Sequence, residues 1–207
     1  MLRIELADEP MDFEVKVRQP GSAWLALQIW NLDLEAPDKT KFPDYWSECR
    51  DALRLAYGSR CCFTGTYLRK SEVIPVEHFL AKKDYPREAY EWKNYRYCCS
   101  RINSRKSKKY ILDPAIHPLN TVVFHLDLVT GSIYPNPQLK IALPSLYNFA
   151  AFTISVDGLN LDDALYRDER TEFWSTYLAS SNGVPEKQQL EKGNNFVWSE
   201  AVRQGQV

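Results

Sequence analysis

Short apolar runs broken by turn residues occupy the first forty positions of the chain. Residues 13–17 alternate apolar and charged side chains with period two, which predicts a strand. Residues 19–22 contain Pro and Gly and predict a turn. The apolar run 23–30 fits either a strand or a buried helix, so its type stays open. Residues 34–41 are interpreted as a linker.

The middle of the chain alternates between helical and extended patterns. Apolar residues at three- and four-residue spacing predict a helix over 43–57, and Gly58 suits its C-terminal cap. Residues 72–77 favour a strand. A loop with a short helical piece is predicted for 79–94, and a second helix for 99–109. The order is therefore helix, strand, loop, helix.

The last third of the chain begins with strand-like patterns and ends with helical ones. Residues 121–134 predict a hairpin that turns at Thr130-Gly131. Residues 151–156 form another apolar stretch, and 162–178 predict a helix. The remainder is polar, with one short helical candidate at 185–192.

Composition indicates a folded protein. The chain has 207 residues, of which 44% are hydrophobic and 13% aromatic, as in proteins that bury a core. No apolar run reaches the roughly 18 residues of a membrane helix, so no membrane association is expected. The acidic start does not resemble a signal peptide, and we expect a cytoplasmic protein. Five cysteines, an odd number, argue against a disulfide framework.

The basic charge is concentrated in one segment although the net charge is −1. Residues 60–109 hold 13 Lys and Arg against 5 Asp and Glu, whereas the rest of the chain holds 13 basic and 22 acidic residues. Such an asymmetry is typical of a basic patch on an acidic body, as a nucleic-acid-binding face requires. A solvated charged surface without a ligand is the alternative interpretation.

Residues with hydrolytic chemistry lie inside this basic segment. Glu77 precedes His78 directly after the predicted strand, and Asn94 and Asn103 follow. Carboxylate and amide oxygens are hard ligands that suit Mg²⁺ or Mn²⁺, and a neutral histidine can take a proton from water. The lysines and arginines after Asn103 suit a phosphate backbone. Together they predict metal-dependent hydrolysis of a phosphodiester.

At these residues the sequence resembles the HNH (ββα-metal) endonucleases. Residues 77–82 follow the pattern E-H-F-x-P-K except for Ala81, 90–94 follow Y-x-W-x-N, and 99–106 follow C-x-x-C-N-x-x-K except for Ile102. The branch with these patterns includes the nuclease partner of ATPase-linked antiphage systems of the Septu type. The resemblance is strong over roughly 57–115, and no match is found for residues 1–40.

The resemblance implies an α+β fold with three parts. A ββα-metal (HNH) core would occupy residues 58–115. An N-terminal segment, 1–57, would pack on this core, and a hairpin and helix elaboration would follow over 116–207. The whole is expected to form one compact domain.

The resemblance also assigns roles to the central residues. His78 would be the general base, and Asn94 would bond loop backbone and orient it. Glu77 and Asn103 would bind one Mg²⁺ or Mn²⁺ ion. Because adjacent residues on a strand point to opposite faces, the strand must end or bend at Glu77 and His78. His117 and His125 lack such neighbours and are predicted to be structural.

Five basic residues are candidates for nucleic-acid contact. Arg105 and Lys106 are predicted to contact phosphate, and Lys82, Lys83 and Lys109 to position the backbone.

Many family members hold a structural zinc with two C-x-x-C pairs, which this chain lacks. Only Cys61 and Cys99 remain at the matching positions, because Thr64 and Ile102 replace their partners. Tetrahedral zinc normally requires four ligands, so structural zinc is predicted to be absent. A rearranged site that also uses the neighbouring cysteines, Cys62 and Cys98, stays open.

The sequence thus favours a divalent-metal-dependent endonuclease that cuts DNA, with RNA as a possible substrate. The resemblance implies an effector role in antiphage defence together with an ATPase partner protein. The alternative is a catalytically inert nucleic-acid-binding or scaffold protein that retains the HNH fold.

Overall fold

A computed structural model describes residues 1, 3–72, 74–116, 121–181 and 183–207. These residues form an α+β structure of short helices and two small antiparallel sheets. They divide into two compact units. The site unit comprises Glu5–Ser59 and Arg69–Tyr110, and the hairpin unit comprises Met1–Ile4, Arg60–Leu68 and Ile111–Val207.

The site unit begins with helices. In chain order they are a π-helix at Glu14–Arg18, α1 at Gln19–Ala26, a 3₁₀ helix at Tyr45–Cys49 and α2 at Arg50–Ala56. The last two correspond to the helix predicted for 43–57. The strand predicted for 13–17 is wrong, and so is the turn predicted for 19–22.

Both errors have a physical reason. Phe13 and Val17 are buried while Val15 is 67% exposed. Phe13 and Val17 are four residues apart, so they fit one face of a helix as well as one face of a strand. Pro20 is the second residue of α1, which continues directly from the π-helix at Glu14–Arg18, so the helix runs through the predicted turn. At Gly21 a Cβ atom would come within 2.1 Å of Cγ of Tyr90.

Strand, loop, strand and helix then follow in the site unit. Strand β1, Val76–His78, pairs antiparallel with β2, Tyr95–Tyr97, so that Glu77 lies opposite Arg96. The intervening loop contains short 3₁₀ turns at Pro86–Glu88 and Trp92–Asn94. Helix α3, Ser100–Lys106, is shorter than predicted and ends at Ser107, whose φ is positive. Of the strand predicted for 72–77, Val73 lies outside the described residues.

The hairpin unit consists of a hairpin and five helices within the described residues. Strands β3 and β4 form the predicted hairpin, and α6 and α7 correspond to the two predicted helices. Their bounds are β3 Phe124–Leu126, β4 Ile133–Pro135, α4 Leu139–Ala142, α5 Pro144–Ile154, α6 Ala164–Leu178, α7 Val184–Gly193 and α8 Asn195–Arg203. Most of the apolar stretch 151–156 belongs to α5, and α8 was not predicted.

Side-chain caps and buried charges hold the hairpin unit together. The Asn194 side chain accepts hydrogen bonds from two backbone N–H groups at the start of α8. Glu200 of α8 is 2% exposed and accepts a hydrogen bond from the Leu126 N–H in β3. The buried Arg170 guanidinium donates to the carbonyls of Gly131 and Leu161. None of the helices in the described part of the chain is long and apolar enough to span a membrane.

The division into units differs from the predicted ranges. Residues 5–59 form one compact unit with 69–110, whereas 60–68 belong to the same unit as the C-terminal half. All of the residues predicted to act in catalysis, in metal binding or in nucleic-acid binding lie in the site unit.

Candidate functional site

The Glu77-His78 pair lies at the end of β1. The strand closes at His78, and the Phe79 N–H donates to the Asn94 carbonyl oxygen at 2.8 Å. The chain bends at Phe79 and Leu80. Both side chains of the pair are buried, Glu77 at 5% and His78 at 7% exposure. The strand thus ends at the pair, as predicted, and does not run on through Phe79.

The His78 ring is held by one hydrogen bond and two aromatic rings. Its Nε2 lies 2.9 Å from the Ala89 carbonyl oxygen, which also accepts from the Tyr95 hydroxyl at 2.9 Å. The ring packs edge-to-face against Trp46 and Tyr95, with centroid distances of 4.7 and 5.1 Å. A carbonyl can only accept, so Nε2 carries the proton in the neutral ring. Nδ1 therefore presents a lone pair, and it makes no hydrogen bond within the described residues.

Burial keeps this histidine neutral. Desolvation, with a further contribution from the nearby Lys82 ammonium, lowers the pKa of His78 to about 3, although the hydrogen bond to Ala89 opposes the shift. The neutral imidazole has the Nδ1 lone pair that a general base needs, but a pKa this far below neutrality makes it a weak base in this conformation.

Asn94 connects both ends of the loop that carries Ala89. Its Oδ1 accepts from the Leu80 N–H at 2.7 Å, while Nδ2 donates to the carbonyls of Leu80 and Glu88 at 3.0 and 2.9 Å. Glu88 immediately precedes Ala89, so these bonds restrain the carbonyl that receives His78 Nε2. All of the hydrogen-bonding groups of the Asn94 side chain point at loop backbone.

Glu77 forms a buried ion pair with Lys106. The Lys106 Nζ atom lies 2.8 Å from Glu77 Oε1 and donates to the His78 carbonyl oxygen at 3.1 Å. Desolvation raises the pKa of Glu77 to about 7 against the opposing effect of Lys106, Lys82 and Arg96. Lys106 is fully buried. It therefore does not contact phosphate in this conformation, unlike the predicted role, because its charge neutralises a carboxylate inside the unit.

Asn103 lies one helical turn before Lys106 on α3. Residues three apart on a helix share a face, so the face that carries Asn103 is the one that reaches Glu77 through Lys106. The Asn103 side chain and Glu77 Oε2 make no hydrogen bonds within the described residues. An amide oxygen and a carboxylate oxygen fit a hard cation such as Mg²⁺. The described residues contain no group of three or more His, Cys, Asp or Glu side chains that could hold a metal, so most of the ligands would be water or substrate oxygens.

Among the other predicted basic residues, Lys82 comes nearest to the pair. Its Nζ lies 4.0 Å from the centre of the Trp46 ring, and burial lowers its pKa while Asp44 and Glu77 raise it. Lys83 Nζ donates to the Asp38 carbonyl at 2.8 Å. Arg105 and Lys109 are half-buried and interact with other residues.

Three groups that hold the site were not assigned to it from the sequence. These are Trp46, which lies in the helix predicted for 43–57, Tyr95 and the Ala89 carbonyl. Tyr95 directly follows Asn94, and its place opposite His78 depends on the register of β1 with β2. No local pattern identifies a backbone carbonyl as a histidine partner.

The five cysteines divide between the two units. All five cysteines are free thiols. Cys61 and Cys62 belong to the hairpin unit, and Cys98 and Cys99 to the site unit. His125 Nδ1 lies 3.6 Å from Glu200 Oε2 in the hairpin unit. His117 lies outside the described residues.

Comparisons with known proteins do not assign the chain to a family. No protein-family model matches it, and no curated protein matches it either.

Proposed function

We propose that the chain is a divalent-metal-dependent HNH endonuclease that hydrolyses DNA phosphodiester bonds. One observation carries the proposal: His78 is fixed through Nε2, which leaves the Nδ1 lone pair available, and the residue before it on the same strand end is the buried Glu77. The antiparallel β1–β2 pair followed by α3 supports a ββα-metal core. The hard oxygens of Glu77 and Asn103 support a single Mg²⁺ or Mn²⁺ ion.

In this proposal each residue of the site has a separate role in phosphodiester hydrolysis. A water oxygen bonds to phosphorus, the phosphorus–ester oxygen bond breaks, and the water proton passes to His78 Nδ1. Asn94 keeps the imidazole in place by restraining the Ala89 carbonyl. Glu77 and Asn103 would hold the metal, which would lower the pKa of bound water, hold the phosphate and stabilise the leaving oxygen.

The resemblance to the Septu-type branch extends this proposal to a biological setting. There the chain would be the effector nuclease of an antiphage system that works with an ATPase partner protein. RNA is a possible substrate because the same chemistry cleaves it.

An inert nucleic-acid-binding or scaffold protein is the second candidate, and one contact favours it. Lys106 already neutralises Glu77 at 2.8 Å, and Lys82 and Arg96 add further positive charge near the same carboxylate. A divalent ion would have to bind against this field. A protein that only binds phosphates would use the same positive potential without a metal.

Plasmid nicking in Mg²⁺ or Mn²⁺ tests the proposal. We expect His78→Ala to reduce the rate by about 10²–10⁴-fold, as loss of a positioned base does. His125→Ala removes a histidine from the hairpin unit and should nick like the wild type. Equal nicking by His78→Ala and the wild type would exclude His78 from the reaction. DNA binding without nicking, even with the ATPase partner present, would favour the inert binder.

A further inference from the structure

An acidic segment of the site unit lies on basic residues next to the candidate site. We call residues 33–38 the acidic strap. It contains Asp33, Glu35 and Asp38, and all but its first residue lie in the linker predicted for 34–41. The strap is docked by backbone, because the Ala36 N–H donates to the Lys83 carbonyl at 2.7 Å and Ala36 is 3% exposed.

Each acidic residue of the strap supplies an acceptor to a different basic side chain. Asp33 pairs with Arg87, whose Nη2 lies 3.2 Å from Asp33 Oδ2. Glu35 pairs with Lys108, whose Nζ also lies 2.9 Å from Asp84 Oδ1 outside the strap. The carbonyl oxygen of Asp38 accepts from Lys83 Nζ at 2.8 Å. Three oxygen acceptors in six residues thus engage three cations, which we call the basic face: Lys83, Arg87 and Lys108.

The basic face adjoins the candidate site. Lys83 follows Lys82, whose charge acts on both Glu77 and His78. Cations near a general base are what a phosphate backbone needs to be positioned for cleavage. The carboxylates and the carbonyl of the strap resemble phosphates in their hydrogen-bonding chemistry, because all are oxygen acceptors.

The ion pairs of the strap are exposed to solvent. The side chains of Asp33 and Arg87 are 65% and 60% exposed, and those of Glu35 and Lys108 are 57% and 50% exposed. Exposed ion pairs stabilise a fold little and are screened by salt. A polyanion can therefore compete for these cations, because it also gains the free energy of counterion release.

We propose that the basic face binds a nucleic-acid phosphate backbone and that the acidic strap masks it by occupying the phosphate positions. This inference rests on the proposed action of the chain on a nucleic acid, but not on a metal or on catalysis. The proposal adds Arg87 and Lys108 to the predicted nucleic-acid contacts. For Lys83, the carbonyl oxygen of Asp38 would compete with phosphate for the ammonium group.

Binding without metal separates this inference from nuclease chemistry. The variant Asp33→Asn/Glu35→Gln removes two strap charges while keeping side-chain size. The control Asp12→Asn/Asp51→Asn makes the same change in charge, and it also releases one lysine and one arginine from exposed ion pairs elsewhere in the site unit. Fluorescence anisotropy of a labelled DNA duplex, and of an RNA duplex of the same sequence, is measured in EDTA over a salt series.

We expect the strap variant to bind the duplex up to about tenfold more tightly at low salt, because Arg87 loses its ion-pair partner and Lys108 keeps only Asp84. Its log–log salt slope should steepen by about one to two. Adding Arg87→Gln/Lys108→Gln to the strap variant should abolish the gain. Circular dichroism and thermal unfolding check that every variant is folded.

An equal gain in the control would overturn the inference, because general charge and not the basic face would then set the affinity. Absence of binding by all variants would overturn it as well. Tighter binding by the strap variant without nicking in Mg²⁺ or Mn²⁺ would support the masked face and count against the nuclease. Nicking that depends on His78, with no change in affinity when the strap is neutralised, would support the nuclease and overturn the masked face.

Discussion

Lys106 Nζ and Glu77 Oε1 lie 2.8 Å apart, with the lysine side chain fully buried and the glutamate side chain 6% exposed. This pair joins helix α3 to strand β1 at the position where a metal-binding carboxylate is proposed. In a buried setting each charge depends on the other, since removing one partner leaves the other charge desolvated without compensation. The pair therefore has consequences for stability as well as for metal binding.

Lys106→Met should destabilise the protein strongly. Methionine retains most of the side-chain volume but leaves the Glu77 carboxylate without its counter-ion, so at a pH well above the Glu77 pKa of about 7 we expect a loss of about 3–5 kcal/mol in the free energy of unfolding. The double variant Glu77→Gln/Lys106→Met should lose less than the sum of the single variants. Urea unfolding measures all three. As a control, Lys93→Met removes a lysine from an exposed pair with Glu88 and should change little. Additive losses at 77 and 106 would show that the pair is not coupled.

Asn94→Asp should disturb His78 without touching it. An aspartate keeps the acceptor for the Leu80 N–H but loses the donor to two carbonyls, at a cost of about 1–3 kcal/mol for each carbonyl left unsatisfied. Nitrogen-15 NMR of the histidine rings reads the consequence directly. The wild type should show a neutral His78 ring protonated at Nε2, and the variant should show mixed tautomers or a mobile ring. An unchanged His78 spectrum in Asn94→Asp would remove the positioning role of Asn94.

Glu200 should make stability depend on pH in the acidic range. Burial alone would raise the pKa of Glu200, but hydrogen bonds from Arg203 and from the Leu126 N–H outweigh it and hold the pKa below the ordinary 4.5. A lowered folded-state pKa contributes stability above the unfolded-state pKa and loses it as pH falls through the folded-state pKa.

The Glu200→Gln variant should therefore be less stable than the wild type near neutral pH. The difference in free energy of unfolding should narrow as pH falls below 4.5. Glu172→Gln, at an exposed position on α6, controls for the loss of one negative charge. If the difference in the free energy of unfolding between the wild type and Glu200→Gln stays constant as pH falls below 4.5, this linkage is contradicted.

Local patterns predicted the parts of the site that depend on neighbouring residues. The strand that ends at Glu77-His78, the loop with a short helical turn and the helix that carries Asn103 all follow from patterns over a few residues. The helix at 43–57, the hairpin and α6 were predicted in the same way. The failure at 13–17 arose because a short alternating run also contains helical spacing, and only burial of Phe13 and Val17 on one side distinguishes the two.

The sequence by itself determined which side chains of the proposed site stand near one another along the chain, and that basic charge accumulates between residues 60 and 109. Only the tertiary structure decided how those groups are used. It paired Lys106 with Glu77, placed the Ala89 carbonyl against His78 Nε2, and laid residues 33–38 across Lys83, Arg87 and Lys108. The reason is physical: a buried charge or polar atom must find its partner wherever the fold brings one, and residues far apart in sequence carry no local pattern that names it.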